Sequence, residues 1–313
     1  MQSTNNLNVN VKEALNEKEG FHVWWRLMRP HTLTASFIPV SVGTMIAYID
    51  GSINWLLFVA MLIACLLIQS ATNMFNEYFD HKRGLDTEES VGIGGTIVRD
   101  GIAPKKIRNI AFIFYGISIL IGVYICAASS WWIAVIGLIC MAFGYLYTGG
   151  PLPISYTPLG ELFSGVLMGS VIIGITYFIQ TGTVTATMIW ISLPITIFIG
   201  SINLSNNIRD RDGDEIGGRK TIPVLIGREK AITFLAILFI IAYVLTAIYM
   251  IIGILPIWSI ITFLSAIKAR SVIQNFRGKT APLEMMPAMK ATGITNTIYG
   301  FLLAISLLIS KLV

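Results

Sequence analysis

Between Trp55 and Ala71 the chain reads WLLFVAMLIACLLIQSA, seventeen residues without a charge. About 20 predominantly apolar residues carry a helix across the roughly 30 Å of bilayer hydrocarbon, so runs of this kind limit the chain to a membrane fold. Nine of them are expected as helices, at approximately 32–50, 54–79, 108–128, 131–148, 159–180, 187–207, 231–252, 255–268 and 291–310. They lack the period-two alternation of barrel strands. Pro39 and Pro194 fall inside two of them, which membrane helices tolerate. Composition agrees: of 313 residues only 12% are charged, about half the share of a soluble domain. The expected fold class is therefore an all-α, multi-pass transmembrane bundle of about nine helices.

Nine spans put alternate polar segments on alternate faces. One face collects the N-terminus and the segments 80–108, 208–230 and 268–290, and with them 21 of the 22 lysines and arginines; only Lys311 falls opposite. The positive-inside rule makes that face cytoplasmic. The net charge of +5 is met by an anionic leaflet and calls for no nucleic-acid partner. Residues 1–22 read as a mobile polar tail and 23–313 as one membrane domain. The tail has no apolar core of a cleaved signal, and FHVWWRLMRP (21–30) has the tryptophans and arginines of an interfacial anchor. Cys65, Cys126 and Cys140 lie in apolar runs without CxxC spacing and read as small hydrophobes.

The charges that remain are patterned. Asn73, Asn76 and Asp80 match Asn203, Asn206 and Asp210 at a constant offset of 130, and Asp86 or Asp214 follows. Spacings of three and then four put each trio on one helix face. The same constellation thus closes two hydrophobic helices at the cytoplasmic side, as an internal repeat would. Polar groups inside a span are functional candidates by default. Two carboxylate clusters brought together repel unless cations lie between them, and magnesium shares its oxygen shell with substrate phosphates. Asp80, Asp86, Asp210 and Asp214, with Glu77 and Asp212 in reserve, are candidates to hold Mg2+ against a diphosphate. Asn76 and Asn206 can donate to phosphate oxygens. Arg83, Arg99, Arg209, Arg219 and Lys220 suit the remaining phosphate charge, and the glycines of GIGGT (92–96) and Gly217–Gly218 allow close backbone approach.

Other motifs fail. DRDGD has its glycine at the fourth place of a calcium loop instead of the sixth, GGRKT separates glycine from lysine with Arg219, and His22, His31 and His81 have no zinc spacing. A transporter would carry its polar residues near the midplane, whereas these helix middles are almost free of charge. A lipid phosphotransferase is set aside because DGDEIG (212–217) and DGIAPK (100–105) both depart from D-G-x-x-A-R.

The segments RLMRPHTL (26–33), NEYFDHKRGLD (76–86), YTGGPLPISYTPLGE (147–161) and NNIRDRDGDEIGGRKT (206–221) together resemble the UbiA-type prenyltransferase superfamily, and within it the branch acting in menaquinone biosynthesis. The likeness covers the chain from about residue 23. It implies a central cavity facing the cytoplasm of a bacterial plasma membrane, with polyprenyl diphosphate bound through Mg2+ and the two aspartate motifs. It further implies transfer of the prenyl group to 1,4-dihydroxy-2-naphthoate with loss of CO2 and diphosphate; the same superfamily also prenylates 4-hydroxybenzoate and homogentisate. Arg29 is then expected to pair with the carboxylate of the aromatic acid, and Tyr147, Tyr156 and Glu161 belong to a loop that shapes the site. Glu77 stands where the family usually carries Asp.

Overall fold

The computed structural model describes residues 20–86 and 95–313. Most of the expected tail, together with Gly92 and Gly94, lies outside the described residues. Among these residues there are helices and turns but no strand. The helices are α1 (Phe21–Leu27), α2 (Thr34–Asp50), α3 (Trp55–Lys82), α4 (Pro104–Ala128), α5 (Trp132–Leu146), α6 (Gly160–Thr181), α7 (Ala186–Ile216), α8 (Ile222–Ile226), α9 (Arg228–Ile251), α10 (Ala266–Phe276) and α11 (Pro282–Leu312).

Six of them (α3, α4, α6, α7, α9 and α11) are long and apolar enough to cross a membrane, while α2 and α5 are shorter apolar helices. The chain is a multi-pass membrane protein. The segment expected at 255–268 is different in kind. After Pro256 it winds as a 3₁₀ helix over Ile257–Ser265 and becomes α-helical only in α10. α1 begins at Phe21, so residues 21 and 22 of the expected tail are helical.

Polar residues do not end helices here. α7 was expected to stop at 207 but continues through the whole second motif to Ile216, because its next breakers are Gly217 and Gly218, the latter at φ 73°. α11 begins at Pro282, nine residues before the expected 291, in the position where a missing N–H costs nothing. α3 runs three residues past its expected end at 79 and stops at Lys82, with Gly84 at φ 71° just beyond. Asp210 and Asp214 are consequently one turn apart on the same helix, whereas Asp86 sits in a loop.

The offset of 130 has a counterpart in packing. α2 leads into α3 and α6 into α7; α3 packs on α4 as α7 packs on α9. α2 lies against α6, and α11 closes the bundle against α2, α7 and α10. The contact between α6 and α7 is close: a Cβ on Gly165 would stand 2.7 Å from the Thr196 carbonyl oxygen, and one on Gly169 2.6 Å from Thr196 Oγ1. Small residues of this kind let membrane helices approach backbone to backbone. α6 also carries one π turn at Leu167–Val171, a local widening that often marks functional sites.

Candidate active site

A cavity of about 710 Å³ runs down the bundle among α3, α4, α5, α6 and α7. Its mouth is polar, with Asn76, Asp80, Asp86, Arg99, Asn206, Arg209, Asp210, Asp214 and Arg219 in the wall. Its body is apolar and small-sided, with Met61, Ala64, Cys65, Gly122, Cys126, Ala134, Gly137 and Ile175. From Met61 to Asp80 the wall follows α3 for twenty residues, about 28 Å at a rise of 1.5 Å between successive residues. Ile119, Val123 and Leu138 line the cavity while staying 44–56% exposed on the bundle surface. The apolar end therefore opens sideways between α4 and α5. All three cysteines belong to this lining.

The two motifs meet at the mouth through one guanidinium. Arg219 donates from Nη2 to Asp80 Oδ1 at 2.5 Å and from Nη1 to Asp214 Oδ1 at 3.2 Å. A fixed cation thus holds apart carboxylates that would otherwise repel across the repeat. Arg209 grips Asp210 with both ends of its fork, at 2.6 and 2.5 Å. Asp214 Oδ2 stays buried without a partner. Burial pushes the Asp86 carboxyl up to about 7, Asp80 and Glu77 adding to the rise against Arg29 and Arg219.

The segment between the two repeats ties them together. Thr148 donates to Asn76 Oδ1 at 2.8 Å, reaching the first motif. Tyr147 exchanges hydrogen bonds of 3.0 and 2.8 Å with Asn203, reaching the second. Glu161 accepts from Asn207 Nδ2 at 2.9 Å. Arg83 donates to the Thr148 carbonyl and, at 3.0 Å, to that of Gly150. The Tyr156 ring lies under the guanidiniums of both Arg83 and Arg219, 5.6 and 5.4 Å away, where cations are attracted to its face. The first half thus presents Asn76 and Arg83 to this one loop, and the second presents Asn203, Asn207 and Arg219.

The expected residues separate into three groups. Asp80, Asp86, Asp210, Asp214, Asn76, Asn206, Arg99, Arg209, Arg29 and Tyr147 line the cavity. Arg83, Tyr156 and Lys220 stand behind the wall, Lys220 with its side chain exposed and its backbone N–H bonded to the Tyr156 carbonyl at 3.0 Å. Glu77 is buried and turned away: Oε2 accepts from the Gly95 N–H at 3.0 Å and Oε1 from that of Ile97 at 3.2 Å. In this way it fastens the backbone at Gly95 and Ile97, and Gly95 lines the cavity. The position 130 residues on is Asn207, which also serves as an anchor.

Sequence spacing missed two individual partners: Thr148, which lies in the loop between the two motifs, and Asn207, which matches Glu77 and not an asparagine at the offset of 130. His31, dismissed for lack of zinc spacing, lines the cavity as well.

Among the described residues no three His, Cys, Asp or Glu side chains converge as a ready metal cage. The donor set nevertheless fits magnesium, which takes one or two carboxylates and leaves its remaining positions to phosphate oxygens and water. Oxygen donors from both motifs share one wall, and Asp214 retains a buried oxygen without a partner.

The chain belongs to the UbiA prenyltransferase family, whose model matches residues 36–309. It is 54% identical over 98% of its length to the 1,4-dihydroxy-2-naphthoate octaprenyltransferase of Bacillus subtilis strain 168, covering 99% of that protein. It is 28% identical over 72% of its length to the Haemophilus influenzae protein of the same name, covering 76% of it. Among solved structures it resembles a UbiA homologue from Archaeoglobus fulgidus bound to DMAPP and Mg2+, with a TM-score of 0.60 at 17% identity over 90% of this chain and 98% of that one. The apo UbiA homologue of Aeropyrum pernix K1 gives a TM-score of 0.66 at 13% identity, over the same 90% and 98%. At these identities the structures speak for the fold.

Proposed function

We propose that this member of the UbiA prenyltransferase family moves a polyprenyl group from polyprenyl diphosphate to 1,4-dihydroxy-2-naphthoate, releasing CO2 and diphosphate, as the prenylation step of menaquinone biosynthesis. The observation that carries the reading is one continuous cavity with a carboxylate-and-arginine mouth and a long apolar body. A polyprenyl diphosphate has that same division. The naphthoate as acceptor is supported by the 54% identity over nearly the whole chain.

Asp80, Asp86, Asp210 and Asp214 would hold Mg2+ at the mouth. Bound there, the ion neutralises the diphosphate and stabilises the charge that gathers on it as the allylic C–O bond breaks. Asn76 and Asn206 present amides beside the same carboxylates. Arg99 and Arg209 supply fixed positive charge to phosphate oxygens, and Arg219 shields the carboxylates of the two motifs from each other. The apolar wall keeps water from the allylic cation until the aromatic ring attacks it. Arg83, Tyr156 and Lys220 brace this arrangement from behind. Residues 23–313 act as a single transferase domain in a bacterial plasma membrane, with the basic segments and the mouth on the cytoplasmic side.

Asp80→Asn and Asp210→Asn test the reading. An amide keeps the shape but not the negative charge that metal and diphosphate require, so each variant is expected to lose at least about 100-fold in turnover while remaining monodisperse in detergent. The assay offers 1,4-dihydroxy-2-naphthoate or 4-hydroxybenzoate with a polyprenyl diphosphate, in magnesium and in EDTA. Wild-type-like turnover by either variant overturns the metal site. Product from the benzoate alone overturns the acceptor.

A further inference from the structure

The turn Arg29–Pro30–His31 joins α1 to α2 and lies in the cavity wall. Arg29 has φ 52°, the only positive φ outside glycine among the described residues. Arginine gains nothing locally from left-handed backbone, so the surroundings impose it. Asn73 Nδ2 donates to the Met28 carbonyl at 2.8 Å and to Thr32 Oγ1 at 3.0 Å. Thr32 Oγ1 in turn donates to the Arg29 carbonyl at 2.9 Å, and Asn296 of α11 donates to Thr34 Oγ1 at 2.5 Å. The turn is thus clamped from α3, and the start of α2 that follows it is held by α11.

Two polar atoms of this clamped turn are buried without a partner, Arg29 Nε and His31 Nε2. The far end of the Arg29 side chain comes only within 3.9 Å of Glu77. Buried polar groups are almost always satisfied. Two exceptions side by side, on a strained turn in a cavity wall, mark a place where a ligand completes the bonding.

The two orphans differ in chemistry. Arg29 offers a permanent cation. His31 lies among Arg29, Arg209 and Lys290, and burial with these charges pushes its pKa down to about 3. Its imidazole is therefore neutral, and with the proton on Nδ1 the Nε2 lone pair is free to accept. A ligand that meets both needs has an anionic group and a neighbouring O–H on one rigid body.

Resting on the acceptor reading above and on the carboxylate pairing that the resemblance implies for Arg29, we propose that His31 completes the seat of the aromatic acid, its Nε2 taking the proton of the ring hydroxyl adjacent to the carboxylate. As the ring carbon bearing the carboxylate bonds to C1 of the prenyl chain, the C–O bond to diphosphate breaks and its electron pair leaves with the diphosphate. The hydroxyl proton moves to His31, and the oxygen becomes the ketone of a β-keto acid. The C–C bond to the carboxylate then breaks, releasing CO2. Its electron pair restores the aromatic ring, and the ketone oxygen takes the proton back from His31. The bound carboxylate offsets the Arg29 charge, which eases the transient imidazolium.

Binding of 1-hydroxy-2-naphthoate and 2-naphthoate to the purified full chain, without donor, isolates the seat. Wild type is expected to prefer the hydroxy acid by about tenfold, the worth of one good hydrogen bond. His31→Phe is expected to erase the preference, and Arg29→Gln to weaken both acids. In turnover His31→Gln is expected to lower kcat by on the order of 100-fold, with KM for the polyprenyl diphosphate unchanged. Equal binding of the two acids by wild type, a preference that survives His31→Phe, or a normal kcat in His31→Gln overturns the seat. Selective binding by wild type with no product from 1,4-dihydroxy-2-naphthoate keeps the seat and overturns the reaction assigned above.

Discussion

Asp80 and Asp214 share Arg219 across the two repeats, and this ion pair is the residue-level hinge of the site. Removing one partner of a buried pair leaves charge uncompensated, at about 3–5 kcal/mol. Arg219→Met is therefore expected to lower the thermal midpoint in EDTA. Added Mg2+ should restore more of it than it adds to wild type, because the ion binds only the folded site. A midpoint equally low with and without Mg2+ would show that Arg219 is purely structural. The aspartates were legible in the sequence because two matched trios on hydrophobic helices are improbable by chance. Glu77 shows what spacing hides: charge and position announce a metal ligand, while the two backbone N–H groups that bond to it come from Gly95 and Ile97, eighteen and twenty residues away. No local pattern reports a partner at that distance.

At the scale of elements, helix existence was readable from apolar length, while helix ends were not. The second motif stays helical to Ile216 because asparagine and aspartate on one face do not break a helix whose other face is packed. Close packing between elements was hidden as well, since a glycine looks the same whether it faces a backbone or open space. Gly169 faces Thr196, with a Cβ due 2.6 Å from its Oγ1 and 2.7 Å from its Cα, whereas Gly116 on α4 has nothing within 4 Å. Gly169→Ala is expected to destabilise the protein by about 1–3 kcal/mol through overpacking. Gly116→Ala should be neutral or mildly stabilising. Comparing their thermal midpoints in detergent decides the matter, and equal midpoints would remove the close α6–α7 contact from the account.

For the molecule as a whole, the cavity leaves the bundle sideways between α4 and α5, past Gly122 and Gly137, each with open space around a notional Cβ. Gly122→Leu or Gly137→Leu can be housed without disturbing a neighbour, but each fills the channel taken by the distal isoprene units. Turnover with farnesyl diphosphate is expected to stay within about twofold of wild type. With an octaprenyl diphosphate it should drop by about tenfold, as the tail loses apolar contact worth roughly 1–2 kcal/mol. Equal losses with both donors would place the tail elsewhere. The loop from Tyr147 to Glu161 acts at this same scale. The halves it joins carry the same motif, and a repeated motif alone offers a ligand two equivalent ends. The reaction needs inequivalent ones, a place that releases an anion and a place that presents a ring. A segment that occurs once, and bonds to a different asparagine on each side, makes the two ends distinguishable. The connector between two matched motifs is here the source of direction.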